Sequence, residues 1–257
     1  MLLWEKRTAT HPYPVRSAGQ SLRLYTNGVF HSQYRAGSIL NGGVWDLLWL
    51  PLFFKPTEQI ASVLILGLGS GAAAAKIQRF FPTAEITAVE IDRWHISVAK
   101  KFNVIDTSRV TVVCADAKRW LKESCKQTYD VIIDDLYGES NGEPVRVIDY
   151  QQSNSHWLRI IKKHLRKNGL FIMNGLVLQH AREMLATATT KPTPRFSEGF
   201  VFRQGGYENI VAVLSNNRLM RRQYETRLAL TLGQQPGRGS LAQLASMSVR
   251  RLSAKPA

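Results

Sequence analysis

Cysteine is nearly absent. Cys114 and Cys125 are the only two in 257 residues, and neither belongs to a CxxC pair. That count excludes a disulfide framework and a thiolate metal site, and it points to a reduced, cytoplasmic protein. Long apolar runs are also missing. Leu47–Phe54 is the longest near the front; it is too short to span a bilayer and contains Pro51, so no membrane partner is expected. The opening MLLWEKRT lacks the apolar core and cleavage site of a signal peptide. No internal repeat is present. His95, His156, His164 and His180 fall on predicted helices without paired metal spacing, which favours surface or partly buried roles and no metal.

Acidic residues are scarce overall but not evenly so. Asp and Glu number 19 against 34 Lys and Arg, a formal net charge of +15. Residues 61–150 hold 12 acids against 11 bases, whereas residues 215–257 hold Glu225 against eight bases. The acids therefore gather in one part of the chain. The basic end is a candidate for a non-specific anionic partner, or for a solvated tail.

The acid-rich part contains Val63–Asp92, VLILGLGSGAAAAKIQRFFPTAEITAVEID. Val63–Leu66 is a continuous apolar run, as in a strand buried on both faces of a parallel sheet. Gly67, Gly69 and Gly71 follow, with Ser70 among them, and Ala72–Phe81 reads as a helix. Ile86–Val89 is a second buried strand with Glu90 at its end. Glycines allow positive φ and close approach of a ligand, and the helix N-terminus offers free N–H groups. A carboxylate on the next strand tip can hold ribose hydroxyls, so the stretch predicts a nucleoside site. It can also be read as a dinucleotide fingerprint ending at Ala72.

Around it, Leu22–Tyr25 and Val29–Tyr34 flank Asn27-Gly28 and predict a β-hairpin. Residues 1–20 have no clear period, broken by Pro12, Pro14 and Gly19. Further strands are predicted at Val110–Val113, Tyr129–Ile133 and Leu170–Asn174, with a closing hairpin of Gly199–Arg203 and Asn209–Leu214. Helices are predicted at Arg93–Phe102, Lys118–Lys126, Gln151–Lys167 and Leu178–Thr187, and a loop over Leu136–Pro144. The alternation predicts an α/β fold: a doubly wound, mostly parallel Rossmann-like sheet. Leu219–Leu232 is amphipathic, and residues 233–257 read as loose or weakly helical.

Ligands bind beyond the carboxyl ends of such strands. Glu90, Asp116 and Asp135 fall at three of these ends. Glu90 is placed to take the ribose. Asp116 is placed to take the adenine amine, with Ala117 leaving room for the ring, although a lone acid there is also a common helix cap. Strand alternation favours Asp135 over Asp134 for the side facing the reactive end of a donor. Tyr137 follows that strand and could line an acceptor pocket or pack its loop.

These segments resemble the class I S-adenosylmethionine-dependent methyltransferase fold and, within it, the spermidine synthase family of aminopropyltransferases. LRLYTNGVF, VLILGLGSG, AVEID, CADA and YDVIIDD carry the resemblance, which runs over about residues 21–215. It implies Gly67, Gly69, Ser70, Gly71, Glu90, Asp116 and Ala117 as donor contacts and Asp135 as the catalytic aspartate. It also implies His31 at a donor-contacting glutamine position. A mononucleoside sulfonium donor suits this set better than a dinucleotide. The chain departs from the family at Ser70, where an aspartate is usual, and at Leu136-Tyr137-Gly138-Glu139, which lacks the second aspartate. It departs again at Leu40-Asn41-Gly42, where the Tyr-His-Glu gate is usual.

The expected division is a hairpin and gate segment over 1–55, the nucleoside-binding domain over 56–215, and a basic helix and tail over 216–257. A homodimer is the oligomer considered. The expected function is group transfer to a small-molecule acceptor from S-adenosylmethionine or its decarboxylated form, without metal. Ser70 lacks the charge that would select the decarboxylated amine, so methyl transfer leads. Aminopropyl transfer to a polyamine and a non-catalytic nucleoside-binding protein are the alternatives.

Overall fold

The computed structural model describes residues 1–148, 150–185, 195–233, 244 and 246–253, and for 150–155 the backbone alone. The chain opens with an antiparallel sheet of β1 (Leu2–Arg7), β2 (Pro12–Ala18), β3 (Ser21–Thr26) and β4 (Val29–Arg35), in that order. Asn27 and Gly28, at φ 49° and 84°, form the tight turn between β3 and β4. The two strands within residues 1–20 correct the irregular reading of that stretch. The β2–β3 ladder covers only Val15–Ala18, so Pro12 and Pro14 lie where β2 is paired with β1 alone. Their missing N–H groups interrupt no β2–β3 bond.

A buried helix α1 (Asp46–Trp49) and a 3-10 turn (Leu50–Phe54) lead into the nucleoside stretch. There β5 (Ser62–Leu66), α2 (Ala72–Phe80), β6 (Glu85–Glu90), α3 (Arg93–Lys101), β7 (Val110–Cys114), α4 (Ala117–Glu123) and β8 (Tyr129–Asp134) alternate as the apolar pattern predicts. The predicted loop after β8 is instead a two-stranded hairpin, β9 (Tyr137–Ser140) and β10 (Glu143–Arg146). Its turn is Asn141-Gly142, at φ 55° and 80°. The chain continues through α5 (Tyr150–His164), β11 (Leu165–Gly175), α6 (Leu178–Glu183), β12 (Glu198–Gln204), β13 (Ile210–Ser215), α7 (Arg221–Leu232) and β14 (Met247–Arg251). The predicted end of the helix at Thr187 lies outside the described residues.

The main sheet has eight strands in the order β14-β12-β13-β11-β8-β5-β6-β7. β11 through β7 are parallel; the other pairings are antiparallel. Strand alternation sorts the core onto two faces. Val63, Ile65, Val131 and Ile133 pack with Trp49, Phe53, Ile77 and Phe81 on one. Leu64, Leu66 and Ile132 pack with Trp157, Leu158, Phe171 and Phe196 on the other. With both faces covered, β5 and β8 must be apolar throughout, which explains their unbroken runs.

The C-terminal part is less loose than its composition predicts. In α7, Tyr224 stacks on Phe54 with ring centroids 4.8 Å apart, and Arg227 Nη1 donates to the Phe54 carbonyl at 2.9 Å. Arg227 therefore satisfies the end of the 3-10 turn and does not simply face solvent. β14 pairs with β12 from Met247↔Gln204 to Arg251↔Phe200 and forms the sheet edge. Its backbone donors and acceptors find a partner strand, a non-local gain that composition cannot register.

Candidate active site

Strand order reverses between β5 and β8, and the site lies beyond the carboxyl ends of these strands. Gly67 leaves β5 at φ 88°, and a Cβ there would meet the Asp135 carbonyl oxygen at 2.4 Å. Gly71, also at φ 88°, leaves no room for a Cβ because Ile105 Cγ2 would be 2.6 Å away. The glycines are thus required by backbone conformation and by packing, and the turn they form is drawn against the end of β8. Ser70 is fully buried. Its Oγ has no hydrogen-bond partner among the described residues.

Glu90, at the tip of β6, holds this turn in place. Its Oε2 accepts from Leu68 N at 3.0 Å and Gly69 N at 2.9 Å, while Oε1 accepts from Asp92 N at 2.9 Å. Burial opposes its charge, but His95 and these backbone donors together keep the carboxyl below the usual carboxylate range. His95 is itself buried, 3.9 Å from Glu90 through Nδ1, and shares a 2.8 Å hydrogen bond with Thr26. Burial disfavours its charge, yet Glu90 and Asp92 raise its pKa. This corrects the expectation of a surface or partly buried role for His95. The isolated helix position gave no sign that Glu90 and β3 converge on it. His31 lies beside it, ring centroids 5.0 Å apart, and burial with the neighbouring His95 pushes its pKa down to about 4. His31 is therefore neutral at neutral pH.

Asp116 caps α4: its Oδ1 accepts from Arg119 N at 2.8 Å. Asp116 and Ala117 still border the cavity, so capping and ligand contact are compatible at this position. Asp134 and Asp135 diverge as strand alternation requires. Asp134 is fully buried. It accepts from Trp157 Nε1 at 2.8 Å and from Arg146 Nη2 at 3.0 Å. Asp135 faces the cavity, where Asn174 Nδ2 donates to its Oδ1 at 2.7 Å. Asn209 Nδ2 in turn donates to Asn174 Oδ1 at 3.0 Å. Burial pushes Asp135 up to about 7; the Asn174 hydrogen bond and Arg146 work against that rise.

One cavity of about 460 Å³ brings these groups together. It is bordered by Gly67, Gly69, Glu90, Asp116, Ala117, Asp135, Tyr137 and His31, but not by Ser70 or Gly71, which stand behind the turn. Tyr137 begins β9, with the Arg146 guanidinium 5.1 Å from its ring centroid. The cavity also gathers residues that local sequence reading missed: His95, Asn174, Glu143, Tyr207, Glu208 and Asn209. Glu143 comes from β10 and the last three from the β12–β13 turn. Their signal in the sequence was faint, because a polar residue at a turn is ordinary. Among the described residues no group of His, Cys, Asp and Glu has metal-holding geometry.

The sheet order, the glycine turn and the carboxylates at strand ends define the class I S-adenosylmethionine-dependent methyltransferase-like fold. A sequence model described as the spermine/spermidine synthase domain matches residues 46–198, more than half of the chain. The chain belongs to that family. It is 30% identical over 175 residues to a probable polyamine aminopropyl transferase of Bifidobacterium longum; the match covers 67% of this chain and 37% of that protein. The chain therefore spans well under half of that relative's length. A probable spermidine synthase from Corynebacterium glutamicum superposes with a TM-score of 0.69 at 16% identity, covering 97% of this chain and 90% of that one. Human methyltransferase-like protein 13, solved with SAH, superposes with a TM-score of 0.59 at 20% identity, covering 75% and 93%. At these identities the solved structures speak for the fold.

Proposed function

We propose that the chain transfers an aminopropyl group from decarboxylated S-adenosylmethionine to a cationic amine. The observation that carries this reading is the charge of the cavity. Glu90, Asp116, Asp135, Glu143 and Glu208 border it against Lys118, in a chain of net charge +15. A cleft of that sign in so basic a protein concentrates cations. A sulfonium donor and an amine acceptor are both cationic. The family and the name of the Bifidobacterium relative support the same reading over the methyl transfer that Ser70 suggested from sequence.

In the proposed step Asp135 takes a proton from the acceptor ammonium. The freed nitrogen lone pair attacks the propyl carbon bonded to S⁺. The C–N bond forms as the C–S bond breaks, and the C–S electron pair goes to sulfur, leaving neutral 5′-methylthioadenosine. The product is a secondary ammonium, and Asp135 releases its proton to solvent. A carboxylate raised to about 7 is a stronger base than an ordinary one, which suits the task. The site's remaining contribution is alignment, with Glu90 and Asp116 holding the nucleoside while Asp135 holds the amine.

Incubation with decarboxylated donor and a panel of amines, read by mass spectrometry, tests the reading. Aminopropylated product is expected; product from S-adenosylmethionine alone would replace it with methyl transfer. That second reading rests on the carboxylate-free glycine turn at Ser70. Binding of 5′-methylthioadenosine without transfer from either donor would leave a nucleoside-binding protein.

A further inference from the structure

The segment that resemblance casts as an amine gate is fixed in the core of this protein. Asp46, fully buried, accepts from Asn41 N at 2.9 Å and Gly42 N at 2.8 Å. Gln33 Nε2 donates to the carbonyls of Asn41 and Gly42, both at 2.7 Å, and Asn41 Nδ2 donates to Ala72 O at 3.3 Å. Leu40 and Asn41 are 2% and 1% exposed. This segment offers no carboxylate to an acceptor and is tied too firmly to swing over one. Acceptor recognition has to come from elsewhere.

The β12–β13 turn faces it across the cavity. Tyr207, Glu208 and Asn209 are consecutive, and all three border the cavity. Gly206 sets their direction at φ 83°. Tyr207 reaches back to the former gate: a Cβ on Gly43 would lie 2.8 Å from its hydroxyl and 3.0 Å from the Trp45 ring. The bare Gly43 is what lets the phenol sit over this wall, where Trp45 packs edge-on against Phe30 at 4.7 Å. Aromatic faces of this kind attract ammonium groups. Arg23 lies on the same wall, 5.3 Å from the Phe30 ring centroid, with its Nε donating to Gln33 Oε1 at 2.7 Å. Glu208 has neither a hydrogen bond nor an ion pair among the described residues. Asn209 leads through Asn174 to Asp135.

Resting on the aminopropyl-transfer reading, we infer that the Tyr207-Glu208-Asn209 turn is the acceptor-recognition element of this protein. Its acceptor is an amine with at least two cationic groups. One ammonium meets Asp135, and a second is held by Glu208 beside the aromatic wall. The turn thus replaces, from the opposite side of the cavity, the acids missing at Leu40–Gly42 and after Asp135.

The test compares putrescine with butylamine, which has the same carbon chain and one ammonium. Glu208→Gln is expected to lower the putrescine-over-butylamine ratio of kcat/KM about tenfold, the loss of one charge pair at a rim. Glu208→Asp is expected to recover part of it. Gly43→Ala, which pushes the Tyr207 phenol away, is expected to lower the same ratio. Calorimetry of both amines with 5′-methylthioadenosine present separates this inference from the reaction reading. Putrescine binding weakened by Glu208→Gln, without any transfer, would keep the turn's role and defeat aminopropyl transfer. Transfer with an unchanged amine ratio would defeat the turn's role and keep the reaction. Absence of binding by either amine, or equal treatment of both by the wild-type protein, would overturn the inference.

Discussion

Asn174 Nδ2 lies 2.7 Å from Asp135 Oδ1, and the direction of that hydrogen bond is set by a second amide. Asn209 donates to Asn174 Oδ1. With its oxygen engaged there, Asn174 can present only N–H to the carboxylate, which favours the ionised form. Replacing Asn174 by Leu removes that donor, so the Asp135 pKa is expected to climb further above its ordinary value. A base must be ionised to act, so the rising limb of the kcat/KM profile should move to higher pH, with activity at neutral pH falling about tenfold or more. An unmoved profile would separate Asn174 from the base.

Asp135→Asn is expected to reduce turnover by about 10²–10⁴-fold while 5′-methylthioadenosine affinity stays near wild type. The same variant carries a stability signature. The folded pKa of Asp135, about 7, lies above its ordinary value of 3.8. Its favourable contribution is therefore complete below pH 3.8 and is lost as pH rises through about 7. Thermal melts should show Asp135→Asn gaining on the wild type across that window. A constant difference in melting temperature would contradict the raised pKa.

Asp134 holds the floor beneath the β9–β10 hairpin through Arg146 and Trp157. Arg146→Met leaves a buried carboxylate without its guanidinium, a change that costs about 3–5 kcal/mol when a buried pair is broken. Urea unfolding measures it. Asp134→Asn in the Arg146→Met background should restore part of the loss, because the remaining buried group is then uncharged.

Deleting residues 246–257 uncovers the β12 edge now paired by β14 and removes the Arg251–Glu198 ion pair at 2.7 Å. A lower melting temperature is expected, with 5′-methylthioadenosine binding retained below it, since no residue after Asn209 borders the cavity. Any RNA binding should weaken with the deletion and fall steeply with added salt. Loss of nucleoside binding by a folded truncated chain would place the tail in the site.

Much of this was legible locally. The Val63–Leu66 run, the three glycines and Glu90 are adjacent in sequence, and strand-to-turn geometry alone brings them to one place. Alternation along β8 was enough to send Asp134 and Asp135 to opposite faces. The β9–β10 hairpin was less legible, because four-residue strands carry too little pattern to stand out from a loop. β14 was hidden for a related reason: its stability comes from pairing with β12, some 45 residues away, and not from its own composition.

By itself, the sequence determined the doubly wound sheet, the glycine turn and the three acids at strand ends. Those features follow from apolar periodicity and from chain neighbours, which act over a few residues. Only the tertiary structure decided what faces Asp135. Asn174, Tyr207, Glu208 and Asn209 lie 39 to 74 positions further along the chain, and sheet order brings them to one cavity. Their convergence depends on long-range strand pairing, which no local pattern encodes. The same pairing buried His95 against Glu90 and set Tyr207 over Gly43, placing polar groups together whose chemistry depends on distance in space and not along the chain.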